Sequence, residues 1–137
     1  MKVRTFKVFS TDFQLVFQKD QWGATLRASD VKARLDRFIF NKLGEHNNYN
    51  KGVSIASANK WLINNAPHPA LDYKMRIVRQ VNTDQNKTEA QIILTIRNDA
   101  LSKFINNDLM SQFFEDNKIR FGKGKTKGVG KFALQQE

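Results

Sequence analysis

The chain has no cysteine, which excludes disulfides, thiolate chemistry and cysteine-ligated zinc, and two histidines cannot by themselves make a dedicated transition-metal site. No metal and no cofactor are expected. There is no apolar run of spanning length, and the opening MKVRTFKVF lacks the hydrophobic centre of a secretory signal. A soluble, cytosolic protein with no membrane partner is therefore expected. Acidic residues are also scarce: 13 Asp and Glu stand against 23 Lys and Arg, a formal charge of +10 over 137 residues. The resulting pI of about 10.0 favours polyanionic partners, nucleic acid first. The length suits one domain with a single core.

Glycine is sparse except in one place. Lys118 to Phe132 reads KIRFGKGKTKGVGKF, which sets Gly122, Gly124, Gly128 and Gly130 among Lys123, Lys125, Lys127 and Lys131. Glycine lets main-chain N–H groups approach a ligand without a Cβ in the way, and ammonium groups supply counter-charge, so the loop suits phosphate. The plainer reading is a solvated lysine-rich turn. Against it, Ile119 and Phe121 on one side and Val129, Phe132 and Leu134 on the other suggest a loop anchored in a core at both ends.

Hydrophobic spacing gives the elements. Val3 to Phe17 reads as a strand, bulged near Thr11-Asp12. Ser29 stands where an N-cap belongs, followed by Val31, Leu35, Phe38, Ile39 and Leu43 on one helical face, with Gly44 closing the helix. Residues 45–71 read as an insertion with a short helix around Ile55 to Ile63 and a Pro67-His68-Pro69 exit. Leu71 to Ile77 and Ala90 to Ile96 alternate as a hairpin. Asp99 caps a second helix through Leu101, Phe104, Ile105, Leu109 and Phe113, weakened at Asn106-Asn107, and FALQ is a last strand. The order predicts an α+β, ferredoxin-like βαββαβ fold with an antiparallel sheet, an insertion after the first helix and a C-terminal glycine-rich loop. The hairpin strand QIILTIR has no aromatic residue, so base stacking on that strand is not the expected mode.

A strand, then LRASDVKARLDRF opening the first helix, then GKGKTKGVGKF before the last strand resembles the RAMP superfamily of CRISPR-associated RNA-binding proteins. That resemblance implies a backbone-type subunit of an effector complex, holding guide RNA by its phosphates while guide pairing supplies specificity. Its partners are then guide RNA, the target strand and other effector subunits. It points to Ala28, Ser29, Lys32 and Arg34 at the helix opening, with Arg37 one turn on, and to the glycine loop as the RNA-binding residues. Arg27 joins them on position alone, at a helix start whose N–H groups and dipole favour an anion. Members of the superfamily often carry a second ferredoxin-like unit, so residues 1–137 read as one such domain or as part of a longer protein.

Two other functions stay open. Relatives that cut CRISPR repeats use a metal-independent histidine, which nominates His46, with Tyr49 and Lys51 near it in sequence. An exposed loop histidine is more often inert, and His68 between prolines reads as structural. Relatives that cut target RNA with a loop aspartate nominate Asp20, although QKDQWG matches no diagnostic motif and a solvated turn is the simpler reading. Trp22 and Trp61 can stack bases, but buried packing is the commoner fate of such rings. The other function is a small basic adaptor docking on an acidic protein surface.

Overall fold

The computed structural model describes residues 1–10, 26–65, 67–82, 88–116, 119 and 131–135. The fold is α+β: β1 (Lys2–Ser10), α1 (Ala28–Leu43), α2 (Tyr49–Ala58), β2 (Leu62–Asn64), β3 (Ala70–Leu71), β4 (Tyr73–Asn82), β5 (Thr88–Ile96), α3 (Asp99–Phe104), α4 (Asn107–Glu115) and β6 (Phe132–Leu134). Four strands make an antiparallel sheet in the order β4-β5-β1-β6, and β2 and β3 form a separate antiparallel pair. Counted over the four-stranded sheet, the chain runs strand, helix, strand, strand, helix pair, strand. Residues 45–71 hold α2, β2 and β3.

Alternation decides which side of the sheet is buried. Phe6 and Val8 of β1, Ala90, Ile92, Leu94 and Ile96 of β5, Tyr73 of β4 and Phe132 of β6 are buried with Val31, Leu35 and Ile39 of α1 and Phe113 and Phe114 of α4. The residues between them on β1 and β4, among them Thr5, Lys7, Lys74 and Arg76, are exposed. Register aligns the two sets, with Phe6 and Ile77 flanking Ile92 and Thr5 and Arg76 flanking Ile93.

Helix α1 starts earlier than Ser29 suggests. Arg27 is the N-cap, extended at φ −116° and ψ 131°, with no side-chain cap bond. The start is set instead by Leu26 and Val31, both buried, at the two positions of a hydrophobic staple, which leaves Ser29 inside the first turn. Gly44 does close the helix, but at φ −77°. Its glycine is required by space, since a Cβ there would lie 1.7 Å from the Asn48 carbonyl oxygen.

The expected helix at Ile55–Ile63 lies earlier, at Tyr49–Ala58, because the Asn48 side chain accepts from Lys51 N (3.2 Å) and starts a turn within NNYNKG. Ile63 falls in β2. The second helix is capped by Asn98, not Asp99: its side chain accepts from Leu101 N at 3.0 Å. The weak Asn106-Asn107 point is a true break, where Ile105 leaves the helix and Asn106 caps α4 by accepting from Leu109 N at 2.9 Å. Leu71 belongs to β3, paired with Leu62, and not to the hairpin. The 11–17 part of the expected first strand lies outside the described residues.

Trp61 is buried, its ring 5.4 Å from Phe104, and ties the 45–71 segment to α3. That burial removes it as a stacking platform. After α2, exposed Lys60 sits at φ 62°, a conformation costing a non-glycine residue roughly 1–2 kcal/mol, against about 0.5–1 kcal/mol for the extra freedom glycine loses on folding. Lys60→Gly is accordingly expected to stabilise the protein by about 0.5 kcal/mol, visible as a small rise in urea midpoint. Among the described residues no helix is long and apolar enough to cross a membrane.

Candidate nucleic-acid interface

Of the helix-opening residues expected to meet RNA, Lys32 is the most constrained. Its ammonium donates to Asp36 Oδ2 (2.9 Å) and to the Leu71 carbonyl oxygen (3.0 Å) and lies 4.3 Å above the Tyr73 ring. Asp36 is only 5% exposed. It also accepts from Tyr73 Oη (2.6 Å) at Oδ1 and from Leu71 N (3.2 Å) at Oδ2. Burial holds the Asp36 carboxyl above its ordinary value, opposed by the charge and hydrogen bond of Lys32 and by the bonds from Tyr73 and Leu71. Burial, and then the Asp36 charge, push the Tyr73 hydroxyl well above its usual range, so it remains a donor. This cluster welds the middle of α1 to the β3–β4 corner.

The rest of the opening is more accessible. Arg27, Ser29 and Arg37 are exposed. Arg34 Nε lies 3.3 Å from Asp30 Oδ1, an i,i+4 pair on a helix whose first-turn acid also suits the dipole. Residues 120–130, which include Gly122, Lys123, Gly124, Lys125, Lys127, Gly128 and Gly130, lie outside the described residues, as do Asp20 and Trp22. The roots of the glycine segment are described. Ile119 packs against the core, its N–H bonded to the Asp116 carbonyl (3.0 Å); Lys131 Nζ donates to the same carbonyl oxygen; and Phe132 is buried.

Those roots gather at the C-terminal end of α1. Phe38 stacks edge-on with Phe113 (5.6 Å), and Lys42 Nζ donates to Gln112 Oε1 (2.6 Å). There a cleft of about 590 Å³ is lined by Lys42, Glu45, His46, Gln112, Glu115 and Asp116 among others. His46 is exposed, at φ 50°, between Glu45 at 58° and Asn47 at 61°. Tyr49 turns instead into the helix contact, edge-on to Phe40 at 5.5 Å and 89°, and Lys51 and His68 are exposed. His46 is thus brought together with Lys42 and three carboxylates, not with Tyr49.

A model of the Cmr1 N-terminal domain matches residues 11–91, more than half of the chain. The chain belongs to the Cmr1 N-terminal domain family. At this coarse level the match agrees with the CRISPR-associated, RAMP-type resemblance of the helix-opening motif. The segment shared with Cmr1 runs from Thr11 to Gln91, so it contains Arg27, Ser29, Lys32, Arg34 and His46 and leaves the glycine segment outside. No curated protein and no solved structure gave a match. The buried Asp36 is the residue that sequence reasoning missed in this Cmr1 segment. Its signal was present: an acid one position after Leu35, on the apolar side of α1, four residues beyond a lysine.

Proposed function

We propose that this chain is an RNA-binding component of a CRISPR effector complex, in which it holds guide RNA by the phosphate backbone beside other effector subunits. The observation that carries the reading is the Cmr1 match over the cationic opening of α1, in a chain of formal charge +10. Phosphate contacts position a nucleic acid without reading its sequence, which suits a subunit that leaves specificity to guide pairing. Arg27 and Arg37, exposed on α1, and the lysines of the glycine segment are the contacts we favour. Lys32 supports them by fixing α1, and Ser29 offers a hydroxyl beside Arg27.

Single-stranded RNA binding measured against salt tests this. Each phosphate that is no longer neutralised lowers the log–log slope by about 0.7, so Lys125→Ala/Lys127→Ala is expected to flatten it by about 1.4. An unchanged slope removes the glycine segment from the interface. If the chain is a protein-docking adaptor instead, RNA neither binds tightly nor competes with an acidic partner. Cleavage by His46 is disfavoured, because Glu45, Glu115 and Asp116 around it repel a phosphodiester. With labelled repeat RNA in EDTA, wild type and His46→Ala are expected to leave the substrate equally intact; cleavage abolished in the variant would restore the endoribonuclease reading.

A further inference from the structure

The open face of the four-stranded sheet carries a combination that neither solvation nor edge protection explains. On β1, Val3 is 66% exposed and Phe9 38% exposed, with Lys7 exposed between them. On β4, Lys74 and Arg76 are exposed, and Ile93 of β5 lies half-buried between Thr5 and Arg76 in register. Neighbouring strands are about 4.8 Å apart and residues rise about 3.4 Å along a strand. Val3 to Phe9 therefore spans about 20 Å, and β1 to β4 about 10 Å. Across that area Glu89, opposite Phe9, is the one acid among the described residues.

Cations on an edge strand are a usual guard against unwanted strand pairing, and that accounts for Lys74 and Arg76 on β4. It does not account for Lys7 or for Phe9, which sits where β1 is paired on both sides, with Glu89 of β5 and Ala133 of β6. An exposed ring at one end of a flat surface, with Lys7 beside it and Arg76 and Lys74 further along, level with Thr5 and Val3, matches what a run of single-stranded nucleic acid offers, a π-face on each base and a charge on each phosphate. A protein partner for the same face would have to bring carboxylates to three cations while covering Val3 and Phe9, and duplex RNA hides the faces of its bases.

We infer that this sheet face is a second RNA contact, taking a single-stranded segment with Lys7, Lys74 and Arg76 on its phosphates and Phe9 stacked under a base. The inference rests on the RNA-binding reading above and adds a surface distinct from the α1 opening and the glycine segment. The absence of aromatics from β5 does not oppose it, because the ring is supplied by β1.

The test uses the intact protein with oligouridine and with a duplex RNA. Lys7→Ala/Lys74→Ala/Arg76→Ala is expected to lower the salt slope for oligouridine by about 2. Phe9→Ala is expected to weaken oligouridine binding at least about fivefold, with Phe9→Tyr close to wild type and duplex affinity unmoved by either. A photo-crosslink from thiouridine to the β1 peptide would support the assignment. Wild-type slope in the triple variant together with wild-type affinity in Phe9→Ala overturns it while leaving the broader RNA reading intact; absence of RNA binding by the wild type overturns both. Sedimentation supplies a further arm: a dimer that Phe9→Ala abolishes gives the face to a second copy of the chain and overturns the inference.

Discussion

Gly52→Ala is expected to lose about 3 kcal/mol or more of stability, although the same exchange in an open helix would gain about 1 kcal/mol from propensity alone. Gly52 lies in the first half of α2, where a Cβ would stand 1.7 Å from the Phe40 carbonyl oxygen and 2.8 Å from its Cα. Both obstacles are backbone, so no rotamer change relieves them. Gly44 is in the same position from the other side, its Cβ meeting Asn48 O at 1.7 Å and Gly52 N at 2.9 Å. The two helices touch through this glycine pair, and the left-handed turn of Glu45, His46 and Asn47 reverses the chain between them. Adding a methyl group must drive α1 and α2 apart, disturbing Phe40, Tyr49 and Ala56 together. Urea denaturation checks the prediction, with exposed Ala33→Gly on α1 as a reference for propensity, expected to lose about 1 kcal/mol. A Gly52→Ala variant as stable as wild type would mean that the helices do not cross so closely.

Asp36→Ala is expected to cost about 3–5 kcal/mol, the range for removing one partner of a buried ion pair. It would strand the Tyr73 hydroxyl and the Leu71 N–H and leave the Lys32 ammonium with only the Leu71 carbonyl and the Tyr73 ring. The pair is nevertheless weak as a net stabiliser, because burial outweighs the opposing interactions in setting the Asp36 pKa. Replacing both charges, as in Lys32→Met/Asp36→Leu with Tyr73→Phe, is therefore expected to cost far less than Asp36→Ala alone.

The pH dependence follows with a definite sign. The folded carboxyl binds its proton more tightly than the unfolded one, whose value is near 3.8. The contribution of Asp36 is then fully present below about pH 3.8 and declines as pH rises through the folded value. The stability of wild type relative to Asp36→Asn should fall over that window; a difference that rises with pH would show that the ionised carboxylate is favoured by folding. Lys32→Ala, for the same reasons, should lower stability before it lowers RNA affinity, whereas exposed Arg27→Ala should do the reverse.

What was legible in the sequence is what periodicity encodes. Val31, Leu35 and Ile39 announced the buried face of α1, and the alternation of Ala90, Ile92, Leu94 and Ile96 announced β5. Helix α2 was misplaced because its start depends on an asparagine cap and on three consecutive left-handed residues without a glycine, neither of which leaves a hydrophobic signature. Asp36 went unread because its partners are 35 to 37 residues away, apart from Lys32. The exposed side of β1 was in plain sight as VRTFKVF, yet a strand's alternation does not say which side stays open until the helices are placed.

The dependence of oligouridine affinity on salt bears most directly on the claim that this chain holds RNA by its backbone. About four phosphates neutralised by α1 and the glycine segment predict a log–log slope near −3 for a single strand, and three more on the sheet face bring it to about −5. Binding whose affinity is flat in salt, or no binding at low salt at all, would contradict the account.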